Sequence, residues 1–487
     1  MRIRLSLLVL MLAAGMTVAR GTSLADTSDL APGEAASKVG AQQDASSAQG
    51  RANARQDSPP QARNPRRFAA CVRGSAHVPE FDGHPVLETG RFPCDRVDLM
   101  SILTVDELGG GFSAAPEQGR GSGMWGWTDP QTRREYVLAG KANGTAIVDI
   151  TDAKRPVYLA ELPTAAPTTD TDRIWREVWT HANHAYVVSE AGPPSFQHGM
   201  QVLDLTRLRD IDRADAPVTI QPDTVYREFE TAHNFFVNED TGFGYAVGAR
   251  NLDRSLNCEG GLHQIDLSDP GNPQFAGCFG DEGYTHDVQC VVYEGPDTRF
   301  TGQEVCFASN PHVMLDGQEV NAVSVIDVTD KANPMLLGRA LYEPGRFSHQ
   351  GWLTEDQRYW LHGDELLHNP PALPRGTYII DMADLTAPAQ IGFYESVTQS
   401  TDHNMYVKGR YVYQSNYSSG LRILDLRRIA DAELEEVGFF DVYPPHDNTG
   451  FGFGTWSTYP YFSKGVVAVH GYQGLWLVKP RLGDRRP

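Results

Sequence analysis

The chain has 487 residues, and 62 acidic against 42 basic side chains give it a formal net charge of −20. That excess repels nucleic acid and anionic membrane surfaces and leaves cationic or neutral partners and metal ions open. No apolar stretch reaches membrane-spanning length, so no transmembrane anchor is expected after removal of the leader described next.

Residues 1–25 read as a secretory signal peptide, with Arg2 and Arg4, an apolar run from Leu5 to Ala14, and Ser23-Leu24-Ala25 as a small-residue cleavage site. The first cysteine is Cys71, so a lipoprotein anchor is not supported. Residues 26–66 are rich in Ala, Ser, Gln, Gly and Pro without apolar periodicity, the composition of a disordered linker. The folded part is expected over 67–480, followed by a polar tail at 481–487. An exported protein is implied, whether extracellular, on the cell surface or periplasmic.

The folded part repeats itself. A short apolar strand ending in aspartate runs into a turn six times: GTAIVDITDAKRPVYLAEL from Gly144, GMQVLDLTRL from Gly199, GLHQIDLSDPGNPQFAGCF from Gly261, AVSVIDVTDKANPMLLGRA from Ala322, GTYIIDMADLTAPAQIGFY from Gly376 and GLRILDLRRI from Gly420. GLWLVKP from Gly474 is a seventh copy, with Lys479 in place of aspartate. The spacings run from 44 to 62 residues with a mean of 55. Periods of this size, built from β-branched runs and turn residues, define propeller blades. Around Tyr406 one unit reads as four strands, HNMYVKG, RYVYQSN, GLRILDL and VGFFDVY.

The expected fold is therefore all-β, a seven-bladed β-propeller. The last blade has only three strands after Trp456, while an unassigned strand, RVDLMSILT over 96–104, precedes the first blade. Its natural place is the outer edge of blade 7, closing the ring and removing two exposed sheet edges. The repeated Asp149, Asp204, Asp266, Asp327, Asp381 and Asp425 are expected to accept backbone N–H groups in the turn that follows each strand, a structural role. Asn238-Glu239-Asp240-Thr241-Gly242 and Thr354-Glu355-Asp356-Gln357 resemble calcium loops but fall at hairpin turns and are read as such.

Six cysteines behind a secretory signal argue for three disulfides. Cys290 and Cys306 lie on consecutive strands, and Cys258 and Cys278 lie where two antiparallel strand ends meet. Cys71 and Cys94 remain and would close a loop ahead of the first blade. Fifteen pairings are possible in all, and free buried thiols are the alternative.

The G-x-x-[IVL]-[IVL]-D-[IVL]-[TS]-D-x-x-x-P repeat resembles the LVIVD repeat. The wider pattern is similar to the bacterial choice-of-anchor B family: FPCDRVDLMS from Phe92, WGWTDP from Trp125, NGTAIVDITD from Asn143, AHNFFVNEDTGFGYAVG from Ala232, YTHDVQCVVYEGPD from Tyr284 and HQGWLTEDQRYWLHGDE from His349. The resemblance spans about 71–480 and implies an exported propeller-like domain joined to the cell surface by differing devices, with no established activity. This chain departs from the pattern in showing no C-terminal anchor, so release to the periplasm or medium is expected.

Aligning the blades places His233, His286, His349 and His403 at the opening of the first strand of four successive blades, with Glu177 at the equivalent place in blade 2 and aromatic residues near Trp125 and Trp456 in blades 1 and 7. First strands line the channel of a propeller, so these residues should gather at one mouth. The loops between second and third strands open on the same face and carry Glu190, Asn310, Asp364, Glu365 and Asn416, with His470 near the last. Three roles are open to the histidines: bonding the next blade's backbone, ligating a transition metal, or exchanging protons. Trp127, Trp175, Trp179, Trp352 and Trp476 are read as packing between blades.

Two functions follow. One is a non-catalytic domain that binds a protein, peptide or glycan at the channel mouth, favoured by the dominance of structural repeats and the lack of a nucleophile motif. The other is a metal-dependent hydrolase or oxidoreductase with His233, His286, His349 and His403 as ligands and Glu190, Asp364 or Glu365 as general base. A quinoprotein lacks a repeated tryptophan-docking signature.

Overall fold

The computed structural model describes residues 67–82, 89–110, 121–165, 175–190, 198–367, 373–445 and 453–483. The expected signal peptide and linker, and the last four residues of the tail, lie outside the described residues. The strands form seven sheets arranged as a seven-bladed β-propeller. From channel to rim, blade 4 runs Asp287–Val292, Glu304–Leu315, Gln318–Asp327 and Met335–Leu341, all antiparallel. Blades 2, 3 and 5 are four-stranded in the same way. Apolar side chains fill the spaces between sheets: Tyr359, Leu361 and Ile379 of blade 5 pack against Met405, Val407 and Leu424 of blade 6.

Blades 1 to 6 carry the same local device. The aspartate ending the third strand accepts the N–H two residues on: Thr151 for Asp149, Thr206 for Asp204, Ser268 for Asp266, Thr329 for Asp327, Ala383 for Asp381 and Arg427 for Asp425, at 2.8–3.0 Å. This Asx turn fixes the departure of the chain toward the outer strand. In the outer strand of every blade but blade 2 the register slips by one residue, as between Val325 and Ile326 or Ile379 and Ile380. The bulge twists the edge away from further pairing. A glycine beside the bulge lies against the next blade's turn, where a β-carbon would meet Lys331 O at 1.9 Å from Gly277 and Leu385 O at 2.5 Å from Gly338.

The ring closes through its two ends. Val97–Thr104 pairs antiparallel with Gly474–Pro480 as the outermost strand of blade 7, the place expected from the sequence. One feature was not legible: a hairpin of Ser75–Asp82 and Thr89–Asp95 extends blade 6 to six strands, with Cys94 opposite Phe440. Blade 1 gains a short parallel strand, Val218–Thr219, from the excursion that follows the third strand of blade 2. Disulfides join Cys71 to Cys94, Cys258 to Cys278 and Cys290 to Cys306. Among the described residues no helix is long and apolar enough to cross a membrane.

Candidate ligand site at the channel mouth

The histidines that open four successive inner strands stand side by side. Ring centroids are 4.1 Å apart from His233 to His286 and 4.4 Å apart both from His286 to His349 and from His349 to His403. Trp456 of blade 7 follows at 4.7 Å from His403, and Trp175 of blade 2 joins Trp456 to His233, at 6.0 Å from each. Trp175, rather than the expected Glu177, thus completes the rim. Glu177 faces the same cavity, as do Arg176, Asn234 and Asn404.

The imidazoles are held from behind. Nδ1 of His286 bonds the carbonyl of His349 in the next blade at 3.0 Å, and Nδ1 of His403 bonds that of Trp456 at 2.6 Å. A carbonyl oxygen only accepts, so in both rings Nδ1 carries the proton and Nε2 keeps its lone pair. His233 Nδ1 meets Glu190 Oε2 at 2.6 Å. His349 differs: its Nδ1 is buried with no hydrogen-bond partner among the described residues, and its Nε2 lies 3.6 Å from Glu365 Oε2. Glu365 also approaches His403 Nε2 at 3.6 Å and accepts from the Tyr417 hydroxyl at 2.7 Å.

Electrostatics keep most of this row uncharged. Burial lowers His286 and His349 well below the ordinary histidine value, with neighbouring imidazoles adding to it, and lowers His403 to about 3. Against burial, the Glu190 carboxylate raises His233. Burial pushes Glu365 and Asp287 up to about 7 and Glu177 well above the carboxylate range. Neutral imidazoles beside a carboxylate, two of them with the tautomer fixed by a backbone carbonyl, are the donor set that divalent transition metals take. His286, His349 and Glu365 offer ligand atoms within 4.8 Å of one another, close to the span that bonds of about 2.0–2.2 Å can bridge. His233 and His403 flank that trio.

The other expected residues divide by environment. Asp364 accepts from the Tyr342 hydroxyl and the N–H groups of Arg346, Phe347 and Leu366, so its lone pairs serve the loop and not a substrate. Asn310 donates to Tyr284 O and Thr285, and Asn416 to Gln414. His470 meets the carbonyls of Gly474 and Gly140 and ties blade 7 to blade 1. The one other potential ligand group among the described residues, Cys258, His263 and Cys278, is taken up by a disulfide.

Below the mouth the channel is filled. Trp125 of blade 1 touches Tyr406 of blade 6, with ring centroids 5.4 Å apart, and Trp179 of blade 2 meets Trp352 of blade 5 at 6.4 Å, pairs that can meet only across the axis. Trp125 also lies 3.8 Å from Trp179, and Phe236 6.0 Å from Trp352. Trp179 packs against Trp125 and Phe236 of the neighbouring blades and Trp352 against Tyr406, the packing between blades expected from the sequence, and both also reach across the axis; Trp175 belongs to the mouth. Tyr417 was missed altogether, because it lies in a loop without a spacing signal.

Fold and site together define a seven-bladed propeller with a plugged channel and a histidine-lined mouth. No protein-family model matches the chain, and no curated protein matches it. Among solved structures it is similar to the hydrazine synthase of Kuenenia stuttgartiensis, at 12% identity and a TM-score of 0.48 over 73% of this chain and 93% of that one. A protein from Lactobacillus plantarum matches at 14% identity and a TM-score of 0.43 over 72% and 88%. Likeness at this level carries no functional argument.

Proposed function

We propose that the protein is an exported β-propeller, a member of the choice-of-anchor B family, that holds a divalent transition-metal ion at its channel mouth through His286, His349 and Glu365. Three disulfides and the repeat pattern support export and family. The observation that carries the metal reading is the convergence of His286, His349 and Glu365 within common ligand reach, with His349 Nδ1 buried and unbonded. An ion held there would polarise a bound water or carbonyl, with the His233–Glu190 pair beside it to take up a proton, the arrangement of a metal-dependent hydrolase or oxidoreductase.

Elemental analysis of the purified, dialysed protein tests this reading. About one equivalent of zinc, copper or iron is expected, lost in the His286→Ala/His349→Ala double variant. Metal-free protein whose melting temperature ignores both chelator and added metal would refute it. A second reading, capture of a protein, peptide or glycan, rests on the blade 4 hairpin Glu304–Leu315 and Gln318–Asp327, the longest second-to-third-strand pair among the described residues, which carries an exposed Met314. Deleting the hairpin tip would abolish such binding and leave metal content unchanged.

A further inference from the structure

Of the three disulfides, only Cys258–Cys278 presents an exposed cysteine to solvent. It ties the turn Asn257–Gly260 to Gln274–Phe279, the outer strand of blade 3. Cys278 is exposed and Cys258 half-buried, whereas Cys94, Cys290 and Cys306 are buried and Cys71 half-buried. The two sulfurs of this bridge are therefore unequal: a nucleophile in solution reaches Cys278, and Cys258 is the sulfur that departs.

Beside Cys258 lies a buried imidazole whose proton can be placed. His263 stands opposite Cys278 in the strand pair. Its Nε2 is 2.8 Å from the Tyr226 hydroxyl and its Nδ1 is 2.7 Å from Asn257 Oδ1. The Asn257 amide is oriented by its nitrogen, which donates to Glu228 O at 3.0 Å and to Asn251 Oδ1 at 2.9 Å, so the oxygen is what faces the ring, and it only accepts. Nδ1 of His263 thus carries the hydrogen, and Nε2 accepts from Tyr226. The same Nδ1 is 3.7 Å from Cys258 Sγ, so the N–H that Asn257 orients borders the sulfur on which charge develops when the bridge opens. Burial lowers this imidazole to about 4, which keeps it a neutral donor.

We propose that Cys258–Cys278 is an exchange site for an external thiol, which becomes bound to Cys278. The thiol loses its proton to water and its sulfur attacks Cys278 Sγ. A bond forms between those two sulfurs as the Cys258–Cys278 bond breaks, and the electron pair of the broken bond leaves on Cys258 Sγ. That thiolate accepts from His263 Nδ1–H until it takes a proton from water. One disulfide replaces another, and the thiol is the sole co-reactant.

Glutathione is the probe. The full chain with its bridges intact is incubated with it at neutral pH, quenched with acid, alkylated with N-ethylmaleimide and mapped by mass spectrometry. The first product should carry one glutathione on Cys278 and the alkylating group on Cys258, with Cys71–Cys94 and Cys290–Cys306 still closed. His263→Leu removes the N–H and should slow adduct formation about fivefold, the scale of one hydrogen bond, while His263→Asn, whose amide puts an N–H near the place of Nδ1, should restore most of the rate. A first adduct on Cys258, or opening of either other bridge at least as fast, overturns the inference. Equal rates in the Leu and Asn variants overturn the part assigned to His263. Should both variants fail to fold, the position of the adduct on the wild-type chain still decides.

Discussion

Lowering the pH should cost the folded protein stability through His362, a residue outside the proposed ligand set. Its ring is fully buried in the second strand of blade 5, with Nε2 3.2 Å from the Ser348 hydroxyl and Nδ1 accepting from Trp360 Nε1 at 3.3 Å. Burial lowers its pKa to about 3, against about 6.5 in an unfolded chain. The unfolded state therefore binds the more protons below about pH 6.5, so the contribution of this group is fully present above that pH and drains as the pH falls toward the folded value. At pH 5.0, about 1.5 units below the unfolded pKa, the loss is about 2 kcal/mol relative to pH 7.5. His362→Gln removes the titration while its amide can still accept from Trp360 and donate to Ser348. Urea unfolding of both proteins at pH 7.5 and 5.0, followed by tryptophan fluorescence, measures the difference. The variant's deficit should shrink by about 2 kcal/mol at the lower pH, and an equal deficit at both would refute the claim that His362 is kept neutral by burial.

Three further outcomes are expected. Gly338→Ala places a methyl group 2.5 Å from Leu385 O of the next blade and should destabilise by about 1–3 kcal/mol, read as a lower melting temperature; an unchanged midpoint would mean the blades are less tightly apposed than described. Replacing Cys71 and Cys94 by serine opens a bridge spanning 23 residues and should cost about 3 kcal/mol, with faster amide exchange in the blade 6 strand Glu435–Phe440; exchange that stays slow there would separate the bridge from the hairpin's grip on that edge. Asp381→Ala should lower stability by about 1 kcal/mol more than Asp381→Asn, which keeps an oxygen for Ala383 N–H; equal effects would deny the Asx turn its role.

What could be read from the sequence was set by how local each interaction is. The aspartate turns bond two residues ahead, so a repeat of type and spacing suffices to place them. Val97–Thr104 could be placed because a three-stranded final blade leaves one definite gap in a closed ring. The mouth histidines are placed by aligning repeats, but which of them share ligand reach depends on side-chain directions, and it is Glu365 rather than His233 that joins His286 and His349. Blade 2 hid its rim residue because Trp175, Arg176 and Glu177 are consecutive and repeat alignment does not resolve a two-residue offset. The aromatic plug is legible only in part: packing of Trp179 and Trp352 against neighbouring blades follows from the repeat, while their meeting across the axis does not, since the channel side of an inner strand and the side facing a neighbouring blade are equally apolar in sequence. The hairpin on blade 6 belongs to no repeat, and only the placement of Cys71 and Cys94 hinted that this stretch is folded.

The pairing of Val97–Thr104 with Gly474–Pro480 makes one blade out of the beginning and the end of the folded chain. During synthesis, Val97–Thr104 emerges early and has no partner until Gly474–Pro480 arrives. Six sheets can assemble in the interim, but the ring stays an open arc with bare hydrogen-bonding margins, the stage at which association with other chains competes. Truncation near the C-terminus therefore unseats a strand at the opposite end of the chain, and the loss spreads to both flanks of the seam.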